Sequence, residues 1–140
     1  MLKSNVISFP CNLKNLQTVR DFVRKQLENE NITDLEKNHI VLAIDEVCSN
    51  LIIHSNGNNE KETIVLKLSF SRTPKGISVE LIEKGIPFDY IKYKEPNILD
   101  LKNNHSNGRM GMMLVRRIMD KIEYIQQDNQ NICRLYKSLA

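Results

Sequence analysis

The run Asp45-Glu46-Val47-Cys48-Ser49-Asn50-Leu51-Ile52-Ile53-His54 reads as the second half of a helix. That helix starts near Thr33 or Asp34, either of which can cap it, and is expected to run to about His54. Ile40, Ile44, Val47 and Leu51 give it an apolar stripe, widened by Cys48 and Ile52. Glu46, Asn50 and His54 are four residues apart. Four residues carry a helix about 40° past a full turn, so the three form a polar stripe drifting slowly beside the apolar one. A carboxylate one turn from a carboxamide, next to buried surface, suits a particular chemistry. The Asn oxygen is a neutral hard ligand fit for Mg²⁺, and the Glu can accept a proton. The same spacing also arises on an ordinary solvated helix face. Ser55-Asn56-Gly57-Asn58 then stops the helix and opens a loop.

Toward the N-terminus, Leu13, Leu16, Val19, Val23 and Leu27 recur at helical spacing, which predicts an amphipathic helix over about residues 13–30 with Asn12 as its cap. Val6–Phe9 reads as a strand stopped by Pro10. Toward the C-terminus, strict alternation predicts strands over Thr63–Phe70 and Ile77–Glu83, joined at Thr73-Pro74-Lys75-Gly76. Residues 89–107 are polar and weakly periodic, and loops of that length are usually functional lids or disordered. A third helix starts near Gly108 or Arg109 and carries Met112, Val115, Ile118 and Met119. Lys121–Gln126 and Ile132–Leu139 form a hairpin joined through Asp128-Asn129-Gln130-Asn131. This order predicts an α+β two-layer sandwich, with helices on one face of a mainly antiparallel mixed sheet, as a single domain over residues 1–140.

Composition narrows the function. With 41% hydrophobic and 26% charged residues the chain has the balance of a soluble domain. No apolar run approaches the roughly 18 residues of a membrane-spanning helix. The opening MLKSNVISFPCNLKN lacks a signal-peptide core. Cys11, Cys48 and Cys133 are odd in number and form no CxxC, so neither a disulfide framework nor a zinc knuckle is expected, and the location expected is cytoplasmic. The net charge of +3 is unevenly spread. Residues 1–60 hold 6 Lys/Arg against 8 Asp/Glu, and residues 61–140 hold 14 against 9. Nucleic-acid binders need a basic stripe and usually stacking platforms. Here the densest basic point is Arg116-Arg117, aromatics are 6% and Trp is absent, so neither nucleic acid nor membrane is an expected partner.

Two further constellations carry chemistry. In Glu83-Lys84-Gly85-Ile86-Pro87-Phe88-Asp89, the alternation through Ile77, Val79 and Leu81 puts Glu83 on the inward face. An inward carboxylate needs a donor, and an exocyclic amino group such as that of adenine is a suitable one. Gly85 allows a ligand close to the backbone, and Pro87-Phe88 fixes the exit of the chain. The other reading is that the strand simply ends at Glu83 and the side chain turns to solvent. In Asn107-Gly108-Arg109-Met110-Gly111, glycines enter a helix directly, exposing backbone N–H groups that can hold phosphate, with Arg109 as an added cation. It is not a Walker A loop, since no GK[ST] follows. A plain helix-entry turn has the same composition.

The order of these features resembles the N, G1 and G2 boxes of the GHKL (Bergerat-fold) ATPase superfamily, and within it the anti-sigma-factor serine kinases and their histidine-kinase-like relatives. AIDEVCSNLIIHS is similar to the E-x-x-x-N-x-x-x-H box, GIPFD to G-x-P-F-D, and GRMGMMLVRRIMDKIEY to the G-x-x-G ending with its later Leu, Arg, Met-Asp and Tyr. The resemblance spans essentially the whole chain and implies a set of roles. Glu46 is then the catalytic base, and Asn50 ligates the Mg²⁺ that bridges the phosphates of ATP. His54 is a site wall or a packing residue. Glu83 stands where the family usually has Asp to receive the adenine amino group, one methylene longer. Gly85, Pro87 and Phe88 lie around the base, and Gly108, Arg109, Met110 and Gly111 close on the phosphates. Lys92, Lys94, Lys102 and His105 fall in the lid. The resemblance further implies a serine-protein kinase acting on a small anti-sigma-factor antagonist protein, control of a sigma factor or similar regulator by partner switching, and a homodimer. A non-catalytic nucleotide-binding interaction module of the same fold is the alternative.

Overall fold

The alternating stretches form strands and the helically periodic ones helices. A computed structural model describes residues 3–57, 59–84 and 107–139. Their order is β1 (Lys3–Pro10), α1 (Leu16–Leu27), α2 (Asp34–Asn50), β2 (Thr63–Arg72), β3 (Lys75–Glu83), α3 (Asn107–Ile118), β4 (Lys121–Gln127) and β5 (Gln130–Ser138). Local chemistry explains the boundaries. Asn12 caps a 3₁₀ turn, Leu13–Asn15, rather than α1 itself, its Oδ1 accepting from the N–H of Lys14 at 2.9 Å. At α2 the cap is Thr33, whose Oγ1 accepts from the N–H of Glu36 at 3.1 Å. Past Asn50 that helix widens into a π-helical turn, Leu51–Ser55, and it ends at Gly57, whose φ of +57° favours glycine. The last hairpin is tighter than the sequence suggests. Only Asp128 and Asn129 form the turn, with φ of 52° and 63°, the left-handed pair of a type I′ connection.

The five strands make one sheet in the order β1-β2-β3-β5-β4. The expected α+β fold is present, with one change: every ladder between described strands is antiparallel, so the sheet is not mixed. The helical crossover through α3 leaves β3 and β4 running the same way, but β5 lies between them and pairs with both. One face of the sheet is buried beneath the helices. Val19 and Val23 of α1, Ile40 and Ile44 of α2 and Val115 of α3 meet Leu66, Leu68 and Leu81 there, all at or near zero exposure.

The outer face has its own order. The strand register lines up Val65, Ile82, Ile132 and Ile125 in one row across four strands. The next row is Lys67, Glu80, Arg134 and Glu123, alternating in sign. Arg134 Nε and Glu80 Oε2 are 2.6 Å apart. Among the described residues no helix is long and apolar enough to cross a membrane.

Candidate active site

The polar stripe on α2 does not stay at one depth. Glu46 is half-buried, Asn50 is 6% exposed, and His54 is exposed. The π-helical turn explains the last step, because it breaks the α-helical phase between Asn50 and His54. The buried Nδ2 of Asn50 has no hydrogen-bond partner among the described residues. Asn50 lines a narrow, mostly apolar cleft together with Val47, Leu51, Met112, Ile122, Tyr124 and Cys133. A carboxamide left unpaired at that depth is costly, so such groups usually wait for a partner.

Glu46 meets α3. Its carboxylate lies against Gly111, so closely that a Cβ there would clash with Oε2 and stand 3.0 Å from Cδ. Glycine is what lets the acid approach this helix so closely, one turn in from its start. Burial, and secondarily the neighbouring Asp45, raise the Glu46 pKa above the ordinary carboxylate value. Asp45 itself is tied back to α1, its Oδ1 accepting from Arg20 Nη1 at 2.7 Å.

Glu83 points inward as the alternation predicts and is 2% exposed, which removes the reading in which it turns to solvent. Its carboxylate is held by two carboxamides. Asn56 Nδ2 donates to Oε2 at 3.1 Å, and Asn131 Nδ2 donates to Oε1 at 3.0 Å. Asn131 faces Glu83 directly across the β3–β5 ladder. Asn56 caps the π-helical turn, its N–H and its Nδ2 both donating to the carbonyl of Leu51, at 3.1 and 2.8 Å. Neither Asn56 nor Asn131 is singled out by the sequence. Asn56 sits in a string that reads as a loop, and Asn131 in one that reads as a turn, yet both are buried.

The three cysteines are free and buried. Burial, with Glu83 and Glu62 secondary, pushes the Cys11 thiol up to about 11, and burial pushes Cys133 up to about 12. Cys48 is shifted further in the same direction. These are protonated core residues, not nucleophiles. Among the described residues no group of three or more His, Cys, Asp or Glu is placed to hold a metal ion.

Gly85, Pro87 and Phe88 lie outside the described residues, as does the expected lid save Asn107, where α3 begins. Gly108, Arg109 and Met110 form the backbone of the first turn of α3, and their side chains are also outside the description.

The model of the histidine kinase-like ATPase domain family matches residues 9–137. Several solved structures share the fold. The RsbU and RsbW domains of a Mycobacterium tuberculosis protein align with a TM-score of 0.69 at 15% identity, over 98% of this chain and 32% of that one. The chain thus spans about a third of that relative. The SiaB–SiaC complex from Pseudomonas aeruginosa gives 0.62 at 12% identity, over 95% and 88%. A blue-light activated histidine kinase from Erythrobacter litoralis gives 0.58 at 12%, over 93% and 42%. No curated protein sequence matches.

Proposed function

The chain belongs to the histidine kinase-like ATPase family, and on that footing we propose that it is an ATP-dependent regulatory protein-serine kinase of the cytoplasm. Its substrate is a serine of a small antagonist protein, and its second partner a sigma factor or an equivalent regulator. The observation that carries this reading is the seating of the Glu46 carboxylate on Gly111, one turn from Asn50. The fold likeness to an RsbW domain, and to a protein solved in complex with a second one, supports the partner-switching part.

The residues present fit Mg²⁺ and ATP. Asn50 has a buried carboxamide with an unpaired Nδ2, and no described hydrogen bond stops it from turning its oxygen outward to hold the ion. The bound Mg²⁺–ATP would supply the phosphoryl group and neutralise its charge. The chain's own work is positional. α2 and α3 bring the Glu46 carboxylate to the first turns of α3, where it accepts the proton of the attacking serine hydroxyl. Its pKa, raised by burial and then by Asp45, makes it a stronger base than an exposed carboxylate. Glu83, held by Asn56 and Asn131, receives the base. Incubation with Mg²⁺, γ-labelled ATP and candidate antagonist proteins tests the activity. Label on a serine of the acceptor is the expected result. ATP binding without any transfer would leave the non-catalytic module instead.

The outer sheet face supports a homodimer. A two-fold axis parallel to the strands, between β3 and β5, reverses the charged row. It sets Lys67 opposite the partner's Glu123 and Glu80 opposite the partner's Arg134, with the aliphatic rows meeting beside them. Glu80→Lys alone and Arg134→Glu alone then sediment as monomers, whereas an equimolar mixture of the two forms a dimer. Dimers in both single variants, or monomers in the mixture, would overturn this assignment.

A further inference from the structure

We propose that the outward ridge of α2, formed by Leu35, His39 and Leu42, is the docking surface for the acceptor protein and leads its serine to Glu46. The inference rests on the reading of this chain as a protein-serine kinase and adds the surface that chooses the substrate.

The helices differ on their outward sides. On α1 the exposed positions are Gln17, Thr18, Asp21, Arg24 and Lys25, all polar, and on α3 the described ones are Arg116 and Arg117. α2 instead turns two leucines outward, Leu35 at 64% and Leu42 at 38% exposure. A single exposed leucine means little, because apolar atoms supply much of any protein surface. These two are seven residues apart, about 20° short of two full turns, so they stand on one side of the helix with His39 between them. Anchors at that spacing are what a partner grips on a helix. The inward side is filled separately by Ile40, Ile44 and Val47, so α2 is apolar on both sides and packed on one.

The ridge has a direction. α2 packs against α1 and against α3. Glu46 is four residues past Leu42, about 40° round the helix toward α3, where it lies against Gly111. From Leu35 to Glu46 the helix rises about 16 Å, so an acceptor seated on the leucines has the base within its own width. The other flank is charged. Arg20 Nη1 donates to Asp45 Oδ1 at 2.7 Å and Lys37 Nζ to the Glu28 carbonyl at 3.5 Å, which pins α1 antiparallel to α2. Arg24, one turn past Arg20, then falls level with Leu42. It is exposed, and no described acid is bonded to it. The complementary acceptor surface therefore has aliphatic side chains at its centre, a carboxylate toward α1 and its serine toward α3. The outer sheet face, assigned above to the dimer, is on the other side of the molecule, so one protomer can hold both partners.

The test compares two acceptors: the whole protein that takes label on a serine in the assay above, and a short peptide centred on that serine. Leu35→Asp and Leu42→Asp are each expected to raise KM for the whole acceptor about tenfold or more. Their kcat at saturating acceptor, their ATP affinity and their transfer to the peptide stay within about twofold. Arg24→Glu raises the same KM about tenfold at low salt, and less as salt screens the pair. Leu35 lies in the first turn of α2, where an added acid suits the helix dipole, so Leu35→Asp decides the matter even if Leu42→Asp fails to fold. An equal loss on peptide and whole acceptor marks damage to the catalytic site and overturns the proposal. An unchanged KM in Leu35→Asp and Arg24→Glu does the same while leaving the kinase reading intact. A change in the sedimentation of Leu35→Asp without acceptor gives the ridge to a second copy of this chain, which also overturns it. If the unmodified protein labels no acceptor, the kinase reading falls and the docking surface falls with it.

Discussion

Glu46→Gln is expected to lower phosphotransfer to the protein acceptor by about 10²–10⁴-fold, the usual contribution of a positioned general base. The amide has the shape of the carboxylate, so it keeps the seat on Gly111, but it cannot accept the proton of the attacking hydroxyl that the proposed mechanism requires. Single-turnover transfer measured alongside calorimetric ATP binding separates the two contributions, and ATP affinity is expected to stay within about threefold. Transfer at the original rate would remove Glu46 from the role. The same variant makes a thermodynamic prediction. Burial, with Asp45 second, raises the Glu46 pKa in the folded protein. Below the unfolded carboxyl's titration range both states hold the proton, and stability is at its fullest. As pH rises from that range through the folded-state pKa, the fold must accept a disfavoured charge, and stability falls. Glu46→Gln does not titrate, so it melts higher than the unmodified protein at pH 7. The difference closes as pH drops below the carboxylate range.

Gly111→Ala separates activity from stability. Alanine in place of a helical glycine gains up to about 1 kcal/mol of helix propensity. The new methyl clashes with Glu46 Oε2, yet that oxygen is the far end of a flexible side chain and can move. The melting temperature is therefore expected to hold or rise slightly. Phosphotransfer falls about 10²-fold, because a displacement near 1 Å at the reacting groups costs about that much. Combining Gly111→Ala with Glu46→Gln adds almost nothing to the loss from Glu46→Gln alone, since both act through one carboxylate. A large drop in melting temperature with full activity would contradict the seating of Glu46 on this glycine.

Much of this was legible in residue order because it depends on period. Alternation gave Glu83 its inward direction and helical spacing gave Glu46 and Asn50 a shared side of α2. The pieces that escaped depend on contacts between distant segments or on a break in period. The π-helical turn at Leu51–Ser55 adds one residue to a helical phase, which sends His54 to solvent and draws Asn56 inside. Asn131 meets Glu83 only because β5 inserts between β3 and β4, a pairing of strands some fifty residues apart. No local pattern encodes that register. The tie from Arg20 to Asp45 is likewise a contact between two helices, invisible to either helix alone.

Strand order also sets a timetable. The chain is made from its N-terminal end, so α2 with Glu46 and Asn50 emerges first, then β3 with Glu83, then α3 with Gly111. Until β5 has emerged, the edge of β3 is open and Glu83 lacks the carboxamide of Asn131. β5, which emerges after all the other described strands, therefore completes both the sheet and the clamp on the Glu83 carboxylate. A nascent chain that holds Glu46, Asn50, Glu83 and Gly111 but lacks β5 has the parts of the proposed pocket without the side chain that fixes one of them.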